Sequence, residues 1–321
     1  MIELTKILIL IVVFALSAGC TTWSPEQEIY LASIQKSELS RGELTARYFG
    51  ASTILLSDGS TSILIDGFFS RPAKGTALLT GIKPTPAIIN EQLDKHDIKD
   101  LDALLVSHAH YDHILDAGYV AKATGATVYG SEKAINLATE QADCLDTKII
   151  KNNSVVKEGL FTIKFYETPH SPKGGLTKFA EWIFLTFSRG LDYKEEGETY
   201  SFLVSHPSKD ILVVPSAGYI AGILPDVKAD TVFLSLGLLG KQDPDIIRNY
   251  WNETVKKTGA NLVILTHWDR LSGNQLIPTP MPFDNLGKSV RIFKEELEKN
   301  EGTGTLIRVT KFSKPFKLDA K

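Results

Sequence analysis

Apolar positions along the chain change their spacing from segment to segment. Residues 44–49, 53–56 and 62–66 are short apolar-rich stretches separated by glycine and by the turn Ser57-Asp58-Gly59-Ser60, the pattern of a strand meander at the start of a sheet. Residues 101–107, 211–215, 231–235 and 261–266 are apolar without alternation, which marks strands covered on both faces. In residues 161–165 the side chains Phe161, Ile163 and Phe165 alternate with Thr162 and Lys164, as in a half-buried strand. Ile247, Tyr250, Trp251 and Val255 fall on one helix face, and so do Leu286, Val290, Phe293 and Leu297. Strands and helices interleave, and the pattern predicts a layered α/β sandwich.

Two segments follow other rules. Ser24-Pro25-Glu26-Gln27 carries an N-cap serine, a proline at the first helical position and a glutamine that closes a capping box, which predicts a helix running to about residue 37. Residues 171–199 match neither period. Gly174-Gly175 opens that stretch and Lys194-Glu195-Glu196 closes it, while Phe179, Trp182, Phe184 and Phe187 make it too apolar for disorder, so a structured excursion beside a site is expected. No internal repeat or low-complexity tract is present.

With 321 residues, 43% hydrophobic and 23% charged, the chain has the make-up of a globular protein with a large core. A formal charge of −3 and the absence of any Lys/Arg block argue against nucleic acid as a partner. Cys20 and Cys144 are the two cysteines. If Cys20 is modified, no intramolecular disulfide remains, and Cys144 alone, with no histidine close by in the sequence, has no nucleophile signature.

The densest chemistry is Ser107-His108-Ala109-His110-Tyr111-Asp112-His113, directly after the apolar run 101–106. Three imidazoles and a carboxylate at the C-terminal end of a strand supply the nitrogen and oxygen ligands that zinc takes. His170 follows Glu167-Thr168-Pro169 and His267 follows Leu265-Thr266, each at a predicted strand end. His96 and His206 sit at a helix end and in a turn before Pro207 and are read as structural or exposed.

The string HAHYDH resembles the H-x-H-x-D-H signature of the metallo-β-lactamase superfamily. The resemblance extends over most of residues 44–309 and implies an αββα sandwich with two facing sheets. It implies that His108, His110 and His170 hold one zinc ion, that Asp112, His113 and His267 form a second site, and that Asp66 braces the metal loop from behind. It implies hydrolysis of an ester, lactone, amide or phosphodiester in a small-molecule substrate by hydroxide formed at zinc, with Asp112 as the carboxylate that orients the nucleophile or takes its proton. Residues 47–53 with Ile65-Asp66-Gly67 resemble the branch of ascorbate-6-phosphate lactonase and N-acyl-phosphatidylethanolamine phospholipase D more than the true β-lactamases.

At one place the chain departs from the superfamily. Where an aspartate usually bridges the two metals, Pro215-Ser216-Ala217-Gly218-Tyr219 occurs, with Ser216 at the bridging position and Asp226 and Asp230 too far along to replace it. A hydroxyl is a poor zinc ligand. One tightly held zinc is therefore expected, with a second ion weak or absent, and Ser216 is read as a hydrogen-bonding neighbour of the metal-held water. Tyr111, Trp268 and the 171–199 excursion are expected to wall the substrate pocket. Two rival readings use the same residues: a surface lipoprotein that binds metal without catalysis, and a non-hydrolytic iron oxidoreductase of the same fold, against which His110 argues because diiron members usually carry glutamate there.

The N-terminus is a separate unit. Lys6 precedes an apolar run, residues 7–15, too short to span a membrane as an ordinary helix, and Leu16-Ser17-Ala18-Gly19-Cys20 resembles the lipobox of bacterial lipoproteins. The expected organisation is a signal peptide over 1–19, a lipid-anchored spacer and helix over 20–41, and a metallo-β-lactamase-fold domain over 42–321. The chain is then exported and held to a membrane through lipidated Cys20.

Overall fold

The computed structural model describes residues 23–28, 30–33, 42–73, 81–172, 193, 196–224, 226–273, 278–282, 284–299 and 304–318. Strands β1 (Thr45–Gly50), β2 (Thr53–Ser57) and β3 (Ser62–Ile65) form the antiparallel meander expected from their spacing. Helix α1 (Pro86–Lys95) leads to β4 (Ala103–Leu105), and α2 (Tyr111–Ile114) and α3 (Ala117–Thr124) lead to β5 (Thr127–Gly130). Helix α4 (Glu132–Gln141) precedes β6 (Thr147–Ile149), and β3 to β6 pair in parallel.

The second half repeats this plan. Strands β7 (Val155–Glu158), β8 (Phe161–Glu167), β9 (Tyr200–His206) and β10 (Lys209–Val214) are antiparallel. Strand β11 (Thr231–Ser235), helix α5 (Pro244–Trp251), β12 (Leu262–Thr266), α6 (Leu286–Glu298) and β13 (Leu306–Arg308) follow, with β10 to β13 in parallel. Strand β14 (Pro315–Lys317) returns to the first sheet and pairs with β1. The orders are β14-β1-β2-β3-β4-β5-β6 and β13-β12-β11-β10-β9-β8-β7.

The side chains of single strands show how the layers stack. Ile63 and Ile65 of β3 and Leu105 of β4 join Phe165, Phe202, Val213 and Phe233 of the second sheet in one core, while Leu64 and Leu104 point the other way, into a core with Ile89, Leu93, Val120 and Leu137 of the first sheet's helices. Trp251 and Phe293 cover the second sheet from its outer side. Helix, sheet, sheet, helix is the αββα order. Burial on both faces explains why these strands read as unbroken apolar runs.

The N-terminal segment corrects one expectation. Among the described residues of this segment only the turn Pro25–Gln27 is helical, and Glu28 is already extended at φ −110 and ψ 161. The capping signals are present, but packing overrides them. Tyr30 bridges in parallel to Val309, the Leu31 amide donates to the Val309 carbonyl, and Trp23 and Leu31 are buried in the inter-sheet core. Cys20 and residues 34–41 lie outside the described residues, as do 173–192, 194 and 195 of the predicted excursion. Among the described residues no helix is long and apolar enough to cross a membrane. Cys144 is exposed.

Candidate metal centre

Strand β4 ends where the site begins. Asp66 and Gly67, both at positive φ (63 and 83), turn the chain out of β3 beside it. The Asp66 carboxylate accepts the Ser107 amide at 2.8 Å and the Ser107 hydroxyl at 3.1 Å. Having donated its one proton to Asp66, the Ser107 hydroxyl is an acceptor for Nδ1–H of His108, 3.1 Å away. That fixes the His108 tautomer with its Nε2 lone pair free. His110 caps α2, which presents Asp112 and His113 within one turn. His170 follows β8 and His267 follows β12, so both sheets deliver side chains to the same rim.

The six residues converge in two groups, His108 with His110 and His170, and Asp112 with His113 and His267, each offering ligand atoms within 4.8 Å of one another. In the first group the rings meet edge-on, and His108 Nε2 lies 2.9 Å from His110 Nδ1. His170 Nδ1–H donates to the Ser171 carbonyl at 2.9 Å, which makes Nε2 the ring nitrogen that carries the lone pair. In the second, His113 Nδ1–H donates to Asp66 at 2.7 Å, while His113 Nε2 faces His267 Nε2 at 3.3 Å and Asp112 Oδ2 at 3.4 Å. Asp112 Oδ2 also lies 3.2 Å from His267 Nε2.

These contacts test whether the donor set suits a metal ion. Opposed imidazole lone pairs at about 3 Å repel unless a proton or a cation lies between them, and all six groups offer the N and O donors of a zinc site. The charges agree. Burial pulls His113 down, but the carboxylates of Asp112 and Asp66 outweigh it and raise its pKa to about 10. Burial raises Asp112, yet His113 and His267 bring it well below the carboxylate range. The second group thus demands positive charge. His108, buried among His113, His110 and His170, is pushed well below the usual imidazole range. The residues present fit a divalent cation in each group.

The neighbours fix this geometry from outside. Ser216 Oγ accepts the Ser171 amide at 2.9 Å, and Ser171 Oγ donates to the Gly237 carbonyl at 3.0 Å. Ser216 therefore ties down the loop that carries His170. Gly237 lies against His267, where a Cβ would come within 2.8 Å of Nδ1. In neither group is there a carboxylate besides Asp112, among the described residues. Trp268 corrects the pocket expectation: it is fully buried, packs against Trp23 and Phe312, and donates its indole N–H to the Leu265 carbonyl. Tyr111 is half-buried, edge-on to Phe68. His206 is buried beside Ser208 and Asp58, and His96 packs on Phe49.

One acidic neighbour had no role in the sequence reading. Glu196 Oε2 lies 3.4 Å from His110 Nε2 and 3.8 Å from His170 Nδ1, and the Glu196 carbonyl accepts the Ala109 amide at 2.9 Å. It approaches the nitrogens turned away from the first ligand cluster, as a carboxylate behind a metal-binding histidine does. Its only sequence signal was the charge run 194–196 at the end of the excursion.

A sequence profile described as the metallo-β-lactamase superfamily matches residues 46–179, the span that carries Asp66, the histidine cluster and His170. Over that span the chain is similar to the metallo-β-lactamase superfamily. A UPF0173 metal-dependent hydrolase of Pyrococcus abyssi is 29% identical over 145 residues, 45% of this chain and 57% of that protein. One from Heliobacterium modesticaldum is 40% identical over 88 residues, 27% of this chain and 30% of that protein. The chain thus matches only about a third to half of the length of these curated relatives. The metallo-β-lactamase fold protein YhfI of Bacillus subtilis superposes with a TM-score of 0.52 at 16% identity, covering 85% of this chain and 98% of the other.

Proposed function

We propose that the protein is a zinc-dependent hydrolase of an ester, lactone, amide or phosphodiester in a small molecule. The observation that carries this reading is the convergence of two three-residue donor groups on one rim of the sandwich. The metal-dependent hydrolase names of its relatives support it. Zinc held there would make hydroxide available near neutral pH. His108, His110 and His170 would hold it through imidazole nitrogens. Asp112 would be the carboxylate that orients the attacking water and takes its proton, and Asp66 and Ser107 support the tautomers of His113 and His108 through their hydrogen bonds.

The test is a panel of chromogenic esters, lactones, amides and phosphodiesters assayed before and after chelation. Turnover that disappears with chelator and returns with zinc supports the reading. No turnover of any class by zinc-loaded protein favours a silent metal-binding protein, and turnover indifferent to chelation removes zinc from the chemistry.

The N-terminal motif supports a second part of the proposal, that the chain is an exported lipoprotein anchored through Cys20. Metabolic labelling with a tagged fatty acid is expected in the wild type and lost in Cys20→Ser. Unlabelled wild type, or label that survives the substitution, refutes it.

A further inference from the structure

Three non-glycine residues near the site share a left-handed backbone: Ala51 at φ 48, Arg71 at φ 42 and His267 at φ 54. L-residues avoid this region unless their surroundings hold them there. All three meet one buried polar cluster. Asp269 Oδ1 accepts the Tyr48 hydroxyl at 2.8 Å and the Ala51 amide at 2.8 Å, and Asp269 Oδ2 takes the Arg71 guanidinium at 2.7 Å. Arg71 also donates to the Arg270 and Phe49 carbonyls. Tyr48, Ala51, Arg71 and Asp269 are each 0% exposed.

The output of the cluster is the His267 backbone. The His267 amide donates to the Ala51 carbonyl at 2.8 Å and to the Tyr48 hydroxyl at 2.9 Å. Space is closed as well: a Cβ on Gly50, itself at φ +93, would lie 2.2 Å from Arg71 and 2.5 Å from Asp269. A buried ion pair is weak support for stability, since apolar packing of the same volume often does as well. What apolar packing cannot do is accept the amide of a residue held at positive φ.

We infer that Tyr48, Asp269 and Arg71 form a positioning clamp, which holds His267 in its left-handed conformation and so sets its Nε2 against His113 and Asp112. The inference rests on the proposed zinc reading for its consequence, although the clamp itself belongs to the metal-free chain. Tyr48 and Asp269 act through His267 and touch no reacting atom. Their loss affects the ion of the Asp112, His113 and His267 group and spares that of His108, His110 and His170.

The experiment compares full-length wild type, Tyr48→Phe and Asp269→Asn by two readouts. Tyr48→Phe is the milder variant, because the Ala51 carbonyl still accepts the His267 amide. In metal-free protein, amide hydrogen exchange at His267 is expected to be about 10-fold faster or more in both variants, relative to the amides of Leu262–Thr266. In zinc titration carried to millimolar concentration, the binding event abolished by His267→Ala is expected to weaken by about 10–100-fold, with the other event unchanged. Wild-type exchange at His267, or equal loss of both binding events, overturns the clamp. Wild-type protein that binds no zinc refutes the proposed function instead and leaves the clamp to be judged on exchange alone.

Discussion

Asp66 Oδ2 lies 2.7 Å from Nδ1 of His113, and the same oxygen receives the Ser107 hydroxyl. One carboxylate thus governs the tautomer of His113 directly and that of His108 through Ser107. Asp66→Asn removes the charge and puts an amide nitrogen or a weaker acceptor against Nδ1–H. Partners behind metal-binding histidines are typically worth about 10–100-fold in affinity, roughly 1.4–2.8 kcal/mol at 1.4 kcal/mol per tenfold. Calorimetric zinc titration is expected to show that loss. Unchanged affinity would mean that Asp66 only shapes the turn.

Trp23 packs edge-on against Trp268 at 5.5 Å and is buried, although it precedes the first strand by more than twenty residues. Trp23→Ala is expected to cost about 3–5 kcal/mol in urea unfolding, the usual cost of emptying a buried tryptophan site. Zinc affinity should stay unchanged, because this contact lies behind the indole and not at the donor atoms. A loss below about 1 kcal/mol would show that the 23–33 segment is detachable.

His96 offers a pH test away from the metal. Burial, followed by the charges of Lys95, Arg47 and Lys314, lowers its pKa from 6.5 to about 4. A depressed imidazole favours the neutral form in the fold, so its contribution is complete above about pH 6.5 and is lost as pH falls toward 4. Wild type should therefore lose stability relative to His96→Gln between pH 7 and pH 4, measured by urea unfolding of metal-free protein. Parallel curves for the two proteins would contradict the shift.

The two-sheet plan was legible in the sequence because strands such as β4, β11 and β12 are covered on both faces and write continuous apolar runs. The donor cluster was legible because four of its six members fall within residues 108–113 and the other two end strands. The clamp was not. Tyr48 and Asp269 are separated by 221 positions, and Arg71 and Asp269 by 198, so only the closed fold brings them together. The N-terminal helix failed for the converse reason. Its capping signals are local, but Trp23, Tyr30 and Leu31 gain more from the core and from Val309 than a short helix offers. Trp268 stands beside His267 in the chain, yet its side chain turns inward.

Ser216 bears on the second ion. Its hydroxyl accepts the Ser171 amide, and Asp112 is the sole carboxylate among the described donors. Two divalent ions repel strongly unless anions lie between them. Ser216→Asp is expected to strengthen the weaker zinc event by about tenfold or more, a gain of roughly 1.4 kcal/mol. No gain in titration would show that position 216 does not face the ions.

In the proposed function, His108, His110, Asp112, His113, His170 and His267 are the residues that hold metal. Zinc titration of chelated, purified wild type alongside His110→Ala and His206→Ala tests it most directly. The account predicts near one tight ion per chain in wild type with a weaker second event, retention of both in His206→Ala, and loss of the tight event in His110→Ala. No binding by wild type, or equal binding by the two variants, would contradict it.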